Sequence, residues 1–209
     1  MELYVLRHGT TPWNEKHFLQ GQTDVPLDDA GRALAVETGE GLKDTHFDLC
    51  FTSPLKRAVE TAELVLRDRG VPIIPDSRLA EMNFGAYEGT CVRGDTEICR
   101  RVKKCLEMDF ASYETPPGGE SLEELAARTK DFYDEITHNP SYEEKRILLS
   151  MHGASGRALM LNAWGRGDFW HGSVPRNCTI CIVTLKEGAV TGIEQDKVFY
   201  KSVTGDFFG

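Results

Sequence analysis

Short runs of consecutive apolar residues alternate along the chain with longer segments in which apolar residues recur every three or four positions. The short runs predict buried strands, and the longer segments predict amphipathic helices. Strands are expected at residues 2–6, 47–52, 71–75, 146–151, 179–185 and 192–201. Helices are expected at about 29–42, 54–69, 94–110, 122–138 and 155–164.

Capping residues mark several of the predicted helix ends. Asp28 and Ser53 have the short polar side chains that accept a hydrogen bond from the first free backbone N–H groups of a helix. Gly70 suits a helix end because glycine readily adopts the left-handed conformation found there. Ser121 and Glu124 have the spacing of a capping box, which predicts a helix start at this point.

The order of elements predicts an α/β fold. Strands that alternate with helices of 10–15 residues form βαβ units, which build a largely parallel sheet with helices on both faces. The last two strands are joined by a short turn and should add an antiparallel edge. The length of 209 residues suits a single domain over 1–209. The segment at about 90–120 is predicted to be a helical insertion in it.

Composition narrows the classes of function. The chain has 40% hydrophobic and 27% charged residues, a balance typical of a globular protein, and a formal net charge of −9. An acidic surface argues against nucleic-acid and membrane partners, although a small cationic pocket could still bind an anionic substrate. With no recognisable signal peptide or long apolar segment, we expect a cytoplasmic protein whose six cysteines are reduced.

Two predicted strands end in the same dipeptide, a histidine followed by a glycine. Arg7, His8 and Gly9 follow the first strand, and His152 and Gly153 follow the strand at 146–151. Ligands of open α/β sheets bind beyond the carboxyl ends of the parallel strands, so both histidines are expected at a site. Each glycine would let the backbone approach a ligand closely.

Two more charged residues are expected at the same edge of the sheet. Arg57 lies in the first turn of the helix after the second strand, where the helix N-terminus also attracts anions. Glu81 comes soon after the third strand. The convergence of two histidines, two arginines and a glutamate indicates a catalytic site for an anionic substrate.

Six segments of the chain resemble the histidine phosphatases, also called the phosphoglycerate mutase-like superfamily. They are LRHGTTPWN (6–14), QGQTDVPLDDAGRALA (20–35), TSPLKRAVETA (52–62), LAEMNFGAYEG (79–89), PPGGES (116–121) and SMHGASGR (150–157). They occur in the family's order and cover almost the whole chain. The resemblance implies a three-layer α/β/α sandwich and a reaction through a phosphohistidine.

The resemblance also implies roles for five residues. His8 would be the nucleophile that attacks phosphorus, for which its ring must be neutral. Arg7, Arg57 and His152 would surround the three equatorial phosphoryl oxygens and stabilise their charge. Glu81 would protonate the leaving oxygen and then activate a water molecule; it must first be protonated, through burial or through the charge of the incoming phosphate.

Second-rank candidates would add neutral hydrogen bonds to the phosphate. They are Thr11, Asn14, Gln20, Gly21 and Gly153, each of which could equally serve a turn or a cap. No cofactor is expected, because arginines and helix termini supply the positive charge that phosphoryl transfer requires.

A metal site is the alternative interpretation of the same region. It would use His8, His152, His171 and Glu81 as ligands. Its weakness is Arg7, whose positive charge beside His8 would repel a divalent cation. We therefore expect no metal.

The favoured function is a histidine acid-type phosphatase that hydrolyses a small-molecule phosphate monoester. Phosphoglycerate mutases of this family typically have Gly-Trp where this chain has Gly21-Gln22, and they carry a longer basic insertion than the segment 90–120. A phosphoglycerate mutase and a phosphoryl-binding protein without turnover stay open as alternatives. The physiological substrate and the oligomeric state are not predicted.

Two other motifs are interpreted as structural. Cys178 and Cys181 resemble half of a redox or zinc motif, but their odd spacing within a strand places them on opposite faces of the sheet. Four residues around the glycine-containing loop at 165–167 are expected to anchor it or to pack in the core: Trp164, Phe169, Trp170 and His171.

Overall fold

The computed structural model describes residues 1–165, 169–171 and 173–201. Its strands are β1 (Glu2–Arg7), β2 (Leu49–Thr52), β3 (Ile73–Pro75), β4 (Arg146–Met151), β5 (Ile180–Lys186) and β6 (Ala189–Lys197). Its α-helices are α1 (Pro12–Glu15), α2 (Asp29–Gly41), α3 (Lys56–Val65), α4 (Glu97–Leu106), α5 (Leu122–Thr137) and α6 (Gly153–Trp164). Single 3₁₀ turns lie at Ser77–Leu79, Gly85–Tyr87 and Pro140–Tyr142.

The six strands form one sheet in the order β3-β2-β4-β1-β5-β6. Strands β3, β2, β4 and β1 run parallel, while β5 pairs antiparallel with β1 and β6 pairs antiparallel with β5. The predicted parallel sheet with an antiparallel edge is therefore confirmed. Strand β4 lies in the middle and is buried from Ile147 to Met151, as expected of a parallel strand that is covered on both faces.

Helices cover both faces, which confirms the three-layer α/β/α arrangement. Val5 and Leu149 face one side of the sheet, where Phe132 of α5 and Leu159 of α6 complete an apolar cluster. Their chain neighbours point to the opposite side, as successive residues of a strand must. There Tyr4, Leu6, Leu148 and Ile182 pack with residues of α2 and α3 such as Leu34 and Val65.

Cys178 and Cys181 lie in these two different clusters, Cys178 beside α2 and α3 and Cys181 beside α5 and α6. This is the opposite-face arrangement that their spacing predicts. Both thiols are free. Burial raises the pKa of Cys178 to about 12, so that it stays a neutral core thiol.

Two predicted caps are present, and one is wrong. The Asp28 side chain accepts from the backbone N–H of Gly31, and Ser121 and Glu124 form the reciprocal capping box. Ser53, however, is not the N-cap of α3, which begins at Lys56 after Leu55 and has no side-chain cap. The Ser53 hydroxyl lies instead 2.7 Å from Nε2 of His152, a partner that local sequence cannot reveal.

Several boundaries also differ from prediction. Helix α3 ends at Val65, before Gly70, and β2 begins at Leu49 rather than at residue 47. Helix α6 begins at Gly153, two residues earlier than expected, directly after His152. This early start brings the N-terminus of α6 to the edge of the sheet at which the histidines lie.

The segment 90–120 contains helix α4, shorter than predicted at both ends. Its buried residues are Cys99, Val102 and Cys105, of which Val102 and Cys105 belong to a third apolar cluster that includes Met82 and Ala154. This segment therefore lies over the N-terminal end of α6 and forms one wall of the region described next. None of the helices that the structure describes is long and apolar enough to cross a membrane.

Candidate active site

Strand pairing places the two histidines next to each other. In the parallel pair of β1 and β4, Arg7 lies opposite Met151, and the next residues on the two strands are His8 and His152. The backbone N–H of His8 donates to the Met151 carbonyl at 3.0 Å. The two imidazole rings consequently lie with their centroids 5.0 Å apart, and both side chains are buried.

The His8 ring has a defined tautomer. Its Nδ1 lies 2.6 Å from the Gly9 carbonyl oxygen, which can only accept, so Nδ1 carries the proton and Nε2 keeps its lone pair. Burial lowers the pKa of His8 well below its ordinary value of 6.5, and the positive charges of Arg57 and Arg7 lower it further. His8 is therefore a neutral imidazole with a free lone pair on Nε2, as a nucleophile at neutral pH has to be.

His152 is oriented by two hydrogen bonds. Its Nδ1 accepts a hydrogen bond from Nε of Arg57 at 3.2 Å, so the ring proton must be on Nε2. Nε2 then donates this proton in a hydrogen bond to Ser53 Oγ at 2.7 Å. Burial and the nearby charge of Arg57 lower its pKa well below 6.5. In this arrangement both nitrogens of His152 are engaged with protein groups, and His152 and Arg57 orient each other.

Both arginines donate hydrogen bonds to backbone carbonyls, which fix the positions of their guanidinium groups. Arg57 donates to the carbonyls of Gly21 at 2.6 Å and Thr23 at 3.0 Å, and Arg7 donates through Nη1 to the carbonyl of Pro175. Burial lowers the pKa of each arginine to about 10, which still leaves both guanidinium groups charged at neutral pH. The result is two buried, immobilised positive charges beside His8.

Glu81 lies at the N-terminus of α6. Its Oε1 accepts from the backbone N–H groups of Met82 and Ser155, both at 2.9 Å, and its Oε2 accepts from that of Ala154 at 3.2 Å. These three bonds fix the plane of the carboxyl group, and the Glu81 residue is only 6% exposed. Gly153 is adjacent: a Cβ on it would lie 3.7 Å from Oε2 of Glu81 and 3.9 Å from Cζ of Arg7.

Arg7, His8 and Glu81 open onto a cavity of about 70 Å³. Asn14, Gln20 and Gly153 line it too, as expected of groups that contact a bound phosphate. The Gln20 amide nitrogen is buried without a hydrogen-bond partner among the described residues, so a donor is available at this point.

Thr11 and Gly21 lie behind the cavity. The Thr11 hydroxyl is 3.1 Å from Oδ1 of Asn14 and 2.9 Å from Oε1 of Gln20, and it caps α1 in a capping box with Asn14. Gly21 supports Arg57 through its carbonyl, and a Cβ on it would lie 2.6 Å from the Met82 carbonyl. Thr11 therefore acts on the site through the lining residues Asn14 and Gln20, and Gly21 acts on it through Arg57.

Gly9 serves packing rather than the approach of a ligand. A Cβ at this position would lie 2.6 Å from the carbonyl oxygen of Gly31, in the first turn of α2. Without a side chain the loop can lie directly on that helix. Both glycines are predicted to let the backbone approach a ligand, but Gly9 is not among the residues that line the cavity. Gly153, by contrast, does line it.

The proposed metal ligands are not grouped as a metal site. No cluster of three or more His, Cys, Asp or Glu side chains within residues 1–165, 169–171 and 173–201 could hold a metal ion. His171 is stacked on Trp164, with ring centroids 3.7 Å apart, and His152 already uses both nitrogens.

Sequence reasoning missed Arg128 and Glu120, which hold the backbone around Glu81. Arg128 donates to the carbonyls of Arg78 and Ala80, both at 2.7 Å, and to the carbonyl of Glu81 at 3.1 Å. It also forms a bidentate pair with Glu120, at 2.6 and 3.0 Å. The PPGGES motif contains Glu120, but its partner lies on α5 and is identified only by the fold.

Two further supporting residues were also missed. Asn177 donates to the carbonyls of His8 at 2.9 Å and Gly9 at 3.1 Å, which secures the turn that carries the nucleophile candidate. Glu88 accepts from the backbone N–H groups of Gln22 and Thr23, the segment against which Arg57 is held. Asn177 lies in none of the six family-like segments, and Glu88, although it lies in the segment at 79–89, has partners that only the fold brings to it.

Comparisons with known proteins identify the family to which the chain belongs. The chain matches the histidine phosphatase superfamily (branch 1) over residues 3–194. It is 35% identical to a 2,3-bisphosphoglycerate-dependent phosphoglycerate mutase of Cytophaga hutchinsonii over 164 residues, 77% of this chain and 76% of that one. It is equally 35% identical to the uncharacterized phosphatase PhoE of Bacillus subtilis over 164 residues, 78% and 77% of the two chains.

Solved structures share the fold over nearly the full length. YhfR of Bacillus stearothermophilus superimposes with a TM-score of 0.81 and 27% identity, over 95% of this chain and 98% of that one. A mycobacterial glucosyl-3-phosphoglycerate phosphatase, solved as a complex with VO3, has a TM-score of 0.76 and 28% identity over 88% and 92%. The chain therefore belongs to the histidine phosphatase superfamily, in its branch 1.

Proposed function

We propose that this protein is a metal-independent phosphomonoesterase that hydrolyses a small phosphorylated metabolite through a phosphohistidine on His8. The observation that carries the proposal is the state of His8. It is a neutral imidazole with its proton held on Nδ1 by the Gly9 carbonyl, and it lines a cavity beside the charged Arg7 and the buried Glu81. These are the nucleophile, charge stabiliser and acid–base group that this chemistry requires.

In the first step, the lone pair of Nε2 of His8 forms a bond to phosphorus. The bond between phosphorus and the ester oxygen breaks, and its electron pair stays on that oxygen, which takes a proton from the carboxyl group of Glu81. The alcohol leaves. Arg7 and Arg57 balance the charge on the three equatorial oxygens, and since both are held by backbone carbonyls they need not reorganise during the reaction.

In the second step, the Glu81 carboxylate takes a proton from a water molecule whose oxygen attacks phosphorus. The P–N bond breaks, its electron pair returns to Nε2 of His8, and inorganic phosphate leaves. Glu81 is again protonated and His8 is again neutral. The three backbone N–H groups that orient Glu81 serve both steps, because acid and base act from the same position.

A phosphoglycerate mutase is the second candidate, favoured by the mutases among the relatives. Such an enzyme returns the phosphoryl group to a phosphorylated acid and must therefore also hold a carboxylate. Arg7 is the one cation among the described residues that line the cavity. Gln22 stands where the mutases typically have tryptophan, and its amide donates to the Glu81 carbonyl at 3.1 Å. Both features favour hydrolysis.

Three assays of the purified chain test the proposal. Hydrolysis of p-nitrophenyl phosphate in excess EDTA is expected to proceed at the rate seen without chelator. Acid quenching during turnover should trap acid-labile phosphate on the protein. Conversion of 3- to 2-phosphoglycerate, stimulated by the bisphosphate and faster than phosphate release, would instead identify a mutase; binding of phosphate compounds with neither reaction would indicate a protein without turnover.

A further inference from the structure

The cavity at His8 has two chemically different halves. We call the polar half the floor; it contains the buried side chains of Arg7, His8 and Glu81, the groups assigned above to the phosphoryl group. The apolar half contains Phe18, Leu19, Val92, Leu106, Trp170 and Val174, all of which except Leu19 are half-buried rather than buried. Because its side chains are the more exposed, we call this half the apolar mouth and place the rest of a substrate there.

The apolar mouth is built by three segments that are joined to one another. Phe18 and Leu19 follow α1 and are bound to the start of the insertion, since Leu19 N–H donates to the Thr90 carbonyl and Val92 N–H donates to the His17 carbonyl, both at 2.8 Å. Such a wall is formed before a substrate arrives, which lowers the entropic cost of binding.

Trp170 belongs to the third segment that lines the mouth. Its indole Nε1 donates to the Leu106 carbonyl at 2.8 Å, so its one polar atom is already satisfied and connects this loop to the end of α4. What Trp170 offers to a substrate is therefore ring surface. The sequence-based expectation that it anchors the loop agrees with this bond, and its position in the lining adds a second role.

The basic residues of α4 do not change the character of the mouth. Arg100 pairs with Asp95 and Glu97, Arg101 pairs with Glu97, and Lys104 pairs with Glu114. These three basic side chains are more than half exposed, the fourth basic residue of α4, Lys103, is also exposed, and none of the four lines the cavity. In the part of the chain that the structure describes, Arg7 is the cavity's only cation, and the phosphoryl group would use it.

We propose that the preferred substrates are phosphate monoesters with an apolar leaving group, aromatic or branched alkyl, and no second anionic group. This rests on the proposed function, because it assumes that the phosphoryl group occupies the floor. An apolar leaving group binds favourably at the mouth, because its apolar surface is transferred there out of water. A carboxylate or second phosphate there would lose its hydration without gaining a cation among these residues.

The experiment compares three esters of alcohols, so that leaving-group reactivity varies little: 2-phenylethyl phosphate, glycerol 3-phosphate and 3-phosphoglycerate. For the wild-type chain, kcat/KM should be about tenfold or more higher for the phenylethyl ester than for either polar ester. Equal values, or a preference for a polar ester, would overturn the inference while leaving the phosphatase intact. Failure to hydrolyse these esters and p-nitrophenyl phosphate alike would instead overturn the proposed function.

A variant locates the preference at the mouth. Leu106→Lys adds a cation to the lining, and it should lower kcat/KM for the phenylethyl ester and raise it for 3-phosphoglycerate, so that their ratio falls about tenfold or more. Ile98→Lys is the matched control on the same helix, at an exposed position outside the lining, and should leave the ratio unchanged. Val92→Lys repeats the test from another wall of the mouth if Leu106→Lys does not fold. An unchanged ratio in a folded lining variant would contradict the proposal.

Discussion

Nε of Arg57 donates to Nδ1 of His152 across 3.2 Å, although the two residues are 95 positions apart in the chain. An arginine nitrogen can only donate, so this bond determines the tautomer of the imidazole and directs its Nε2 proton to Ser53. In return, the imidazole aligns the guanidinium plane. Two groups that the sequence suggests as independent ligands of a phosphate thus form one unit, in which His152 positions Arg57.

Replacement of the nucleophile should remove turnover. His8→Ala is expected to lower kcat by about 10³-fold or more and to abolish the acid-labile phosphate trapped in the wild type, because it removes the proposed acceptor of the phosphoryl group. His46→Ala, whose side chain is largely exposed, is the matched control and should retain full activity. A His8→Ala variant with near-normal rates would show that the nucleophile is another residue.

Removal of the acid should lower the hydrolysis rate by an amount that depends on the leaving group. Glu81→Gln keeps the shape of the side chain but cannot supply the proton, so hydrolysis of an alkyl phosphate should fall about 10²–10⁴-fold. The loss should be much smaller for p-nitrophenyl phosphate, whose leaving group is stable as an anion. The ratio of the two kcat/KM values is the measurement, and equal losses for both esters would exclude Glu81 as the leaving-group acid.

The buried imidazoles should not titrate near neutral pH. A pKa well below 6.5 means that His8 and His152 stay neutral as the pH falls from 8 to 6.5 and become protonated only in more acidic solution. Their NMR ring resonances, identified through His8→Gln and His152→Gln, are therefore expected to stay constant over this range. A titration midpoint near 6.5 for either ring would contradict the prediction.

Activity should also fall at alkaline pH. The pKa of Arg7 and of Arg57 is lowered by burial to about 10, so both guanidinium groups begin to lose their charge as the pH approaches that value. Since these charges stabilise the transferring phosphoryl group, kcat/KM should decline towards pH 10. Flat activity from pH 8 to 10.5, in a protein that stays folded by circular dichroism, would exclude this origin.

Arg128 should act on the reaction through Glu81. In Arg128→Lys, the single ammonium group cannot bind the three backbone carbonyls and also pair with Glu120. Glu81 should therefore be displaced, and the rate of alkyl phosphate hydrolysis should fall about 10–100-fold. The loss should be smaller for p-nitrophenyl phosphate, as in Glu81→Gln.

A double variant separates positioning from general destabilisation. If Arg128 works through the acid, then Arg128→Lys should cost little further activity once Glu81→Gln is present. Glu120→Gln weakens the same pair from the other side and should show the same dependence on the leaving group. Equal losses for both esters would indicate a purely structural role for Arg128.

Replacement by alanine should have different effects on stability at two of the glycines. Gly9→Ala would place a Cβ 2.6 Å from the Gly31 carbonyl, and the forced separation of loop and helix should lower the free energy of unfolding by about 1–3 kcal/mol. Gly156→Ala, in α6, would meet only Val5 at 3.7 Å and should be neutral or stabilising, because alanine favours a helix more than glycine does. Urea unfolding of both variants measures the difference, and similar values would show that Gly9 has more room than this geometry implies.

Much of the fold and the set of candidate residues followed from the sequence. Apolar runs and capping residues identified the strands and most of the helices, because these signals depend on neighbours a few positions away. The His-Gly pairs indicated an active site because parallel strands end at the same edge of a sheet. The positions of His8, His152, Arg7, Arg57 and Glu81 just after the predicted strands therefore indicated that these residues would lie close together.

Only the tertiary structure decided which contacts each side chain makes at the candidate active site. Ser53 binds His152 instead of capping a helix, Gly9 is required for packing on α2, and Arg128 holds the backbone of Glu81. The apolar mouth likewise combines residues from three distant segments. A hydrogen bond or a contact is set by distances of a few ångströms between atoms, and for residues tens of positions apart those distances exist only once the sheet and its helices have packed.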